Sequence, residues 1–273
     1  MVASESCALK AVGAEFVRDV EPGEILVFSS NGVVSRKEHC RKKEKKLCIF
    51  EYIYFARPDS TIDGVSVHRA RMRAGAILAK THSVEADVVV GVPDSGLDAA
   101  LGYSLESGIP YGIGLIKNKY IGRTFISPGQ GARVDGVKIK LAAIEESVKN
   151  RRVVLVDDSI VRGTTMGRVV TLLRDAGAKE VHVRISSPPF LYPCYYGTDI
   201  DSKEHLIACK HSISEICHII GADSLGYLPV ERLSDLIGNC GFCGACFHGK
   251  YPTEIPLDTR KNRFEQRLSD REK

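Results

Sequence analysis

Apolar and polar positions along the chain fall into two regimes. Up to about residue 35, short apolar runs are split by the turn-like stretches "RDVEPGE" and "SSNG", which predicts a few β-strands joined by hairpin turns. From residue 66 the period alternates between strand and helix. The segment "SVHRARMRAGAILAKTH" sets Val67, Ala70, Ala74, Ile77 and Leu78 at helical spacing. "ADVVVGVPDSG" is an apolar strand running into a Gly/Pro/Asp loop, "GLDAALGYSLESG" a helix stopped by Gly108, and "PYGIGLI" a second strand. "VDGVKIKLAAIEESVKN" leads into a third strand, "RVVLVDD"; "TTMGRVVTLLRDAGA" is a helix ending at Gly177, and "EVHVRISSPP" a fourth strand. Continuous apolar strands alternating with helices predict the α/β class, a parallel sheet covered by helices on both faces. Beyond "PCYYGTDID" the chain reads as short helices up to Gly238, then as "NCGFCGACFHGKYP", and from Pro256 as a charged, frayed end or surface helix.

A length of 273 residues is one large domain or two modest ones. With 44% hydrophobic and 26% charged residues the composition is that of a soluble globular protein. The formal net charge of +4 is too small to argue for nucleic acid and suits an anionic small ligand as well. The basic run "RKEHCRKKEKKL", residues 36–47, reads as a solvated linker. No run of about 18 apolar residues predicts a membrane helix. The start "MVASESCALK" lacks the basic and apolar segments of a secretory signal, so a cytoplasmic location is expected.

The stretch "VVLVDDSIVRGTT", Val153 to Thr165, carries the candidate chemistry. An apolar strand ends in Asp157 and Asp158, which repel each other unless a cation or hydroxyl groups compensate them. In open α/β sheets ligands bind beyond the carboxyl ends of the strands. The following "SIVRGTT" brings hydroxyls and a glycine to a helix start, where backbone N–H groups and the helix dipole favour phosphate. Acids for sugar hydroxyls beside a phosphate cradle describe a ribose phosphate site. The alternative is an ordinary strand–loop–helix turn with aspartates as caps.

Nine cysteines without a secretory signal point to a reducing compartment, and their clustering to metal or cluster ligands. Cys240, Cys243 and Cys246 stand at C-x-x-C-x-x-C spacing, which alone leaves zinc and iron–sulfur open. Cys209 and Cys217 are expected to be small core residues.

"VVLVDDSIVRGTT" resembles the phosphoribosyl pyrophosphate (PRPP) signature of type I phosphoribosyltransferases. Together with "CIFEYIYFARPDS", "GVPDSG", "GIGLIKNKYIGRTFI", "VHVRISSPP", "PCYYGTDI", "IGADSLGYL" and "ACFHGKYP", it is similar to the glutamine-PRPP amidotransferase family over roughly residues 4–256. The resemblance implies a type I phosphoribosyltransferase sheet and a magnesium-dependent displacement of pyrophosphate from PRPP by ammonia, the first step of purine biosynthesis. It implies that Asp157 and Asp158 meet the ribose hydroxyls and Mg2+, and that Ser159, Ile160, Val161, Arg162, Gly163, Thr164 and Thr165 form the 5′-phosphate loop. Asp94, Ser95 and Gly96 would hold pyrophosphate, with Ser95 as a magnesium contact. Lys117, Tyr120, Arg123 and Thr124 would act catalytically in a closing loop, with Lys119, Gln130 and Arg133 beside them.

The same resemblance implies a [4Fe–4S] cluster on Cys48, Cys194, Cys243 and Cys246, with Cys240 and Cys40 as spare thiols. Residues 1–35 match the end of a glutaminase domain, 36–60 a linker with a cluster cysteine, 61–230 the transferase domain, and 231–273 a cysteine-rich segment with a charged tail. This chain alone is therefore expected not to hydrolyse glutamine, and Cys7 is not its nucleophile. It would be a fragment, one half of a split enzyme or a decayed gene product, taking ammonia from a glutaminase domain or chain. Its leftover strands should expose apolar surface. A homotetramer and purine nucleotide inhibitors are further implications. The competing readings are a non-catalytic PRPP- or nucleotide-binding regulatory module and a salvage phosphoribosyltransferase.

Overall fold

A computed structural model describes residues 1–42, 44–118, 141–198, 200, 202–238 and 240–255. The chain opens with a short helix, α1 (Ser6–Ala11), and a hairpin, β1 (Ile25–Ser29) and β2 (Gly32–Arg36), whose tight turn falls at "SSNG". The helix departs from the all-strand expectation for this region. Its start is fixed by distant partners: Glu5 accepts from Arg57 N and Ser60 Oγ, each at 2.8 Å, and Ser6 Oγ accepts from Thr61 N at 2.8 Å. A local pattern carries no trace of such contacts.

After β3 (Leu47–Cys48) come a π-helical turn, Glu51–Phe55, and a small antiparallel pair, β4 (Thr61–Ile62) and β5 (Val65–Ser66). Strand and helix then alternate through α2 (Val67–Thr81), β6 (Val88–Gly91), α3 (Leu97–Ser107), β7 (Leu115–Lys117), β8 (Leu141–Ala143), α4 (Glu145–Val148) and β9 (Arg152–Asp157). The series continues with α5 (Thr164–Asp175), β10 (Glu180–Ile185), α6 (Ile213–Ile219), β11 (Ser224–Tyr227), α7 (Leu233–Ile237), β12 (Phe242–Cys243) and α8 (Ala245–His248).

The central sheet has the order β11-β10-β9-β6, and every neighbouring pair is parallel. Its strands divide their side chains between two cores, as the two-residue period requires. Val88, Val90, Val153, Leu155, Val181 and Val183 pack on one face with Met166, Val169, Val170 and Leu173 of α5. Val89, Val154 and Val156 pack on the other with Leu78 of α2 and Ala99, Ala100 and Tyr103 of α3. Burying each such aliphatic side chain stabilises the fold by about 1.5–3 kcal/mol. A third core gathers Ile49, Phe50, Tyr52, Phe190, Leu236 and Phe247, and it joins the linker to the C-terminal segment.

Two expectations need correction. "PYGIGLI" is not one strand of the sheet. Tyr111 makes a single parallel bridge to Val89, and β7 then pairs antiparallel with β8. Glycines at 112 and 114 leave little side chain to hold a sheet position. The region read as short helices also contains a strand, β11, at the sheet edge. Its four residues are too few for a period to show. No helix among the described residues is long and apolar enough to cross a membrane.

Candidate functional site

The carboxyl ends of β6 and β9 lie side by side. Val92 N donates to Val156 O at 2.9 Å, and Gly96 N returns to Val92 O at 2.8 Å, which folds residues 92–96 into a tight loop. The Pro93–Asp94 peptide bond is cis. Only glycine fits at 96, because a Cβ there would lie 2.2 Å from Val156 O. The loop brings Ser95 Oγ within 3.0 Å of Asp157 Oδ1, to which it donates. Asp158 N donates to the same oxygen at 2.9 Å, and Ser159 Oγ donates to Asp158 Oδ2.

Both aspartates are buried. Burial holds the Asp157 carboxyl well above the ordinary aspartate range, and the Asp158 charge adds to it. Burial also raises Asp158, while hydrogen bonds from Ser159 and Ser95 pull it back. Two crowded carboxylates facing hard hydroxyl oxygens form a site that gains from a cation.

The loop behind them has an inner and an outer side. Ile160 is 3% exposed and belongs to the α5-side core, while Val161 packs on the third core and its carbonyl accepts from Ile207 N at 2.9 Å. With these two turned inward, Arg162, Thr164 and Thr165 stay exposed. Gly163 sits at φ +80°, the left-handed region that favours glycine, and precedes α5 without a side-chain cap. The first N–H groups of α5 therefore have no intrahelical partner and suit an anion.

These features open on one cavity of about 620 Å³. Ser95, Lys117, Asp157, Asp158 and all of Ser159 to Thr165 line it. Asp94 and Gly96 are not among the residues that line it, and the largely exposed Asp94 forms an ion pair with Lys117. Tyr120, Arg123 and Thr124, with Lys119, Gln130 and Arg133, lie outside the described residues. The sequence reading missed the aromatic side of the cavity, Phe50, Tyr54, Phe55 and Phe190. The aromatic run "IFEYIYF" carried the signal, since three of those four rings come from it.

A second cavity of about 920 Å³ is lined by Cys48, Cys194, Cys243 and Cys246. β3 and β12 run parallel and set Cys48 opposite Cys243, while α8 supplies Cys246 and the loop after Phe190 supplies Cys194. Burial pushes the Cys48 thiol up to about 11 and raises Cys243 and Cys246 as well, so these are neutral thiols unless a metal claims them. As placed, no group of three or more His, Cys, Asp or Glu among the described residues forms a cage for a single ion. Cys240 and Cys40 do not line this cavity. Contrary to expectation, Cys209 is exposed, its thiol donating to Leu191 O at 3.2 Å, and Cys217 is only partly buried.

Comparison with known proteins places this geometry. Residues 66–186 match the family model described as "Phosphoribosyl transferase domain". The amidophosphoribosyltransferase of Bacillus subtilis is 56% identical over 265 residues, covering 95% of this chain and 56% of the relative. That of Archaeoglobus fulgidus is 52% identical over 94% of this chain and 57% of the relative. Among solved structures, one described as the allosteric regulatory enzyme of purine biosynthesis superposes with a TM-score of 0.87 at 54% identity, over 97% of this chain and 58% of that one. The B. subtilis glutamine PRPP amidotransferase complexed with ADP and GMP gives 0.85 at 55% identity, over 94% and 58%. The chain spans a little over half the length of the relatives it matches. By sequence and by fold, nearly the whole of this chain is similar to part of the amidophosphoribosyltransferase family's members.

Proposed function

We propose that this chain carries the phosphoribosyl-transfer chemistry of that family: magnesium-dependent displacement of pyrophosphate from C1 of PRPP by ammonia, giving 5-phosphoribosylamine in purine biosynthesis. The observation that carries this reading is the meeting of Ser95, Asp157, Asp158 and the uncapped start of α5 in one cavity. Asp157 and Asp158 accept from the ribose hydroxyls. Arg162, Thr164, Thr165 and the first N–H groups of α5 hold the 5′-phosphate, while Ile160 and Val161 anchor the loop from behind. Asp94, Ser95 and Gly96 face the pyrophosphate. Lys117 leaves Asp94 for the departing phosphate, because an exposed ion pair holds it only weakly. Its charge, with that of Arg123 in its expected role, offsets the negative charge that grows on pyrophosphate, and the hydroxyls of Tyr120 and Thr124 would donate hydrogen bonds there. No protein nucleophile is needed.

The donor set fits Mg2+, a hard ion that takes few protein oxygens and keeps several waters. Ser95, Asp157 and Asp158 would hold it, and it would supply charge neutralisation on the pyrophosphate. A [4Fe–4S] cluster would be held by Cys48, Cys194, Cys243 and Cys246, which line one cavity and supply the four thiolates such a cluster takes. Its role would be structural, tying the linker to residues 231–273. In this reading residues 61–230 are the transferase domain, 36–60 the linker and 1–35 the end of a glutaminase domain, with ammonia supplied by a glutaminase. The ADP and GMP of the B. subtilis relative support purine nucleotides as inhibitors here.

The folded chain, purified anaerobically and given PRPP, Mg2+ and ammonia, should release pyrophosphate. A folded, cluster-loaded sample that binds PRPP without turnover would instead favour a regulatory module. Iron and sulfide should co-purify and be lost in Cys243→Ser; zinc without iron would overturn the cluster.

A further inference from the structure

Arg71, one of two buried arginines among the described residues, stands outside all of these roles. Arg71 lies on the apolar face of α2, next to Ala70 and one turn from Val67 and Ala74, and is 4% exposed. Its guanidinium makes no close carboxylate pair; the nearest, Asp98 Oδ2, is 4.0 Å away. It is spent on carbonyls instead. Nε donates to Tyr52 O at 2.9 Å, and Nη2 donates to Tyr54 O at 3.0 Å and to Ala56 O at 2.7 Å. These carbonyls belong to the π-helical turn and the residue that ends it. A planar fork can reach three of them at once, which an ammonium cannot do in the same geometry.

That turn is the partition between the two cavities. Phe55 lines both, and so does Thr198. Tyr54 and Phe50 face the phosphoribosyl side, and Glu51 the thiol side. Arg71 is carried by a rigid base, because α2 and α3 approach so closely that a Cβ at Gly75 would lie 1.8 Å from Ala99 O. It also lies within electrostatic reach of Asp158, the acid at the ribose end of the pocket. A buried ion with no carboxylate nearer than 4.0 Å among the described residues costs stability relative to an apolar side chain of like size, so packing alone does not call for arginine.

We propose that Arg71 is a positioning residue that fixes the Phe55 partition between the two cavities, so that binding of PRPP in one is coupled to the state of the thiols in the other. The coupling rests on the pocket assignment above. It is reciprocal, as linkage requires. The test uses the full chain without a cluster and a small disulfide reagent, with modification of Cys48, Cys194, Cys243 and Cys246 followed individually by mass spectrometry. Saturating PRPP and Mg2+ should slow modification of these four at least about 5-fold in the wild type, the lower end of typical coupling. In Arg71→Met, PRPP should still bind but the protection should vanish, and Arg71→Lys should recover less than half of it. Should Arg71→Met fail to fold, Arg71→Gln, which keeps a donor for one carbonyl of the turn but lacks the fork, should show the same uncoupling. Protection equal to wild type in the Met and Gln variants would overturn the proposal, as would a wild type that binds PRPP without protection. A wild type that binds no PRPP would overturn the pocket assignment and the coupling with it.

Discussion

At the scale of single residues, the acid pair is a conflict left in the fold. Asp157 keeps a proton at pH values where an ordinary aspartate is charged, because burial and the neighbouring charge penalise ionisation. The folded state thus binds more protons than the unfolded one between the unfolded pKa and the raised folded value. Stability is fully present below the unfolded pKa and falls as pH rises through the raised one. Asp157→Asn keeps an oxygen to accept from Ser95 and Asp158 N and removes the charge. The variant should melt higher than wild type at neutral pH without ligand, and the gap should close as pH falls toward 4. Each kcal/mol gained raises Tm by roughly 2–4 °C in a chain of this size. Mg2+ with PRPP should raise the wild-type Tm and leave the variant's unchanged. A variant less stable than wild type at every pH would contradict the conflict between burial and charge.

At the scale of elements, a loop and a helix start must agree on one backbone conformation. Gly163 at φ +80° makes the turn from β9 into α5, and a Cβ there would lie 2.8 Å from Ile207 Cδ1. Gly163→Ala should cost about 1–2 kcal/mol from the left-handed backbone alone. It should also raise the Kd for PRPP at least about 10-fold, by moving the N–H groups of α5 off the phosphate, since tenfold corresponds to about 1.4 kcal/mol. Unchanged affinity, titrated calorimetrically, would remove the 5′-phosphate from this loop. The elements around it were legible because periodicity reports burial: the residues of α2 that repeat at helical spacing, from Val67 to Leu78, are those that pack inward. The acid pair and its loop were legible because their residue types conflict with burial at a strand end. What stayed hidden depends on distant partners. The start of α1 is held by Arg57, Ser60 and Thr61, and β11 exists because β10 offers it a free edge. Arg71 did leave a trace, a charge inside an apolar stripe, but its carbonyl partners are 15–19 residues away in sequence.

At the scale of the whole molecule, order and exposure divide unevenly. The sheet is covered on both faces, whereas among the described residues β1 and β2 pair only with each other. Their strands carry Phe28 opposite Val33 and Val27 opposite Val34, with Phe28 at 55% and Val33 at 58% exposure. An isolated two-stranded ribbon is at best marginally stable in water, and its free edges and apolar faces invite pairing with another chain. The chain should therefore self-associate with rising concentration, and sedimentation velocity should show it. Phe28→Thr with Val33→Thr keeps β-propensity and the cross-strand pairing while removing apolar area. The double variant should shift the distribution toward the smallest species and leave the Kd for PRPP within about 2-fold, since neither residue lines the phosphoribosyl cavity. If association persists undiminished, the sticky surface lies elsewhere, and two other strongly exposed apolar residues, Ile113 at 63% and Leu105 at 68%, become the next to replace. If PRPP affinity falls instead, the hairpin supports the transferase site from a distance. The two independent packing units drawn here, hairpin and sheet, would then be one.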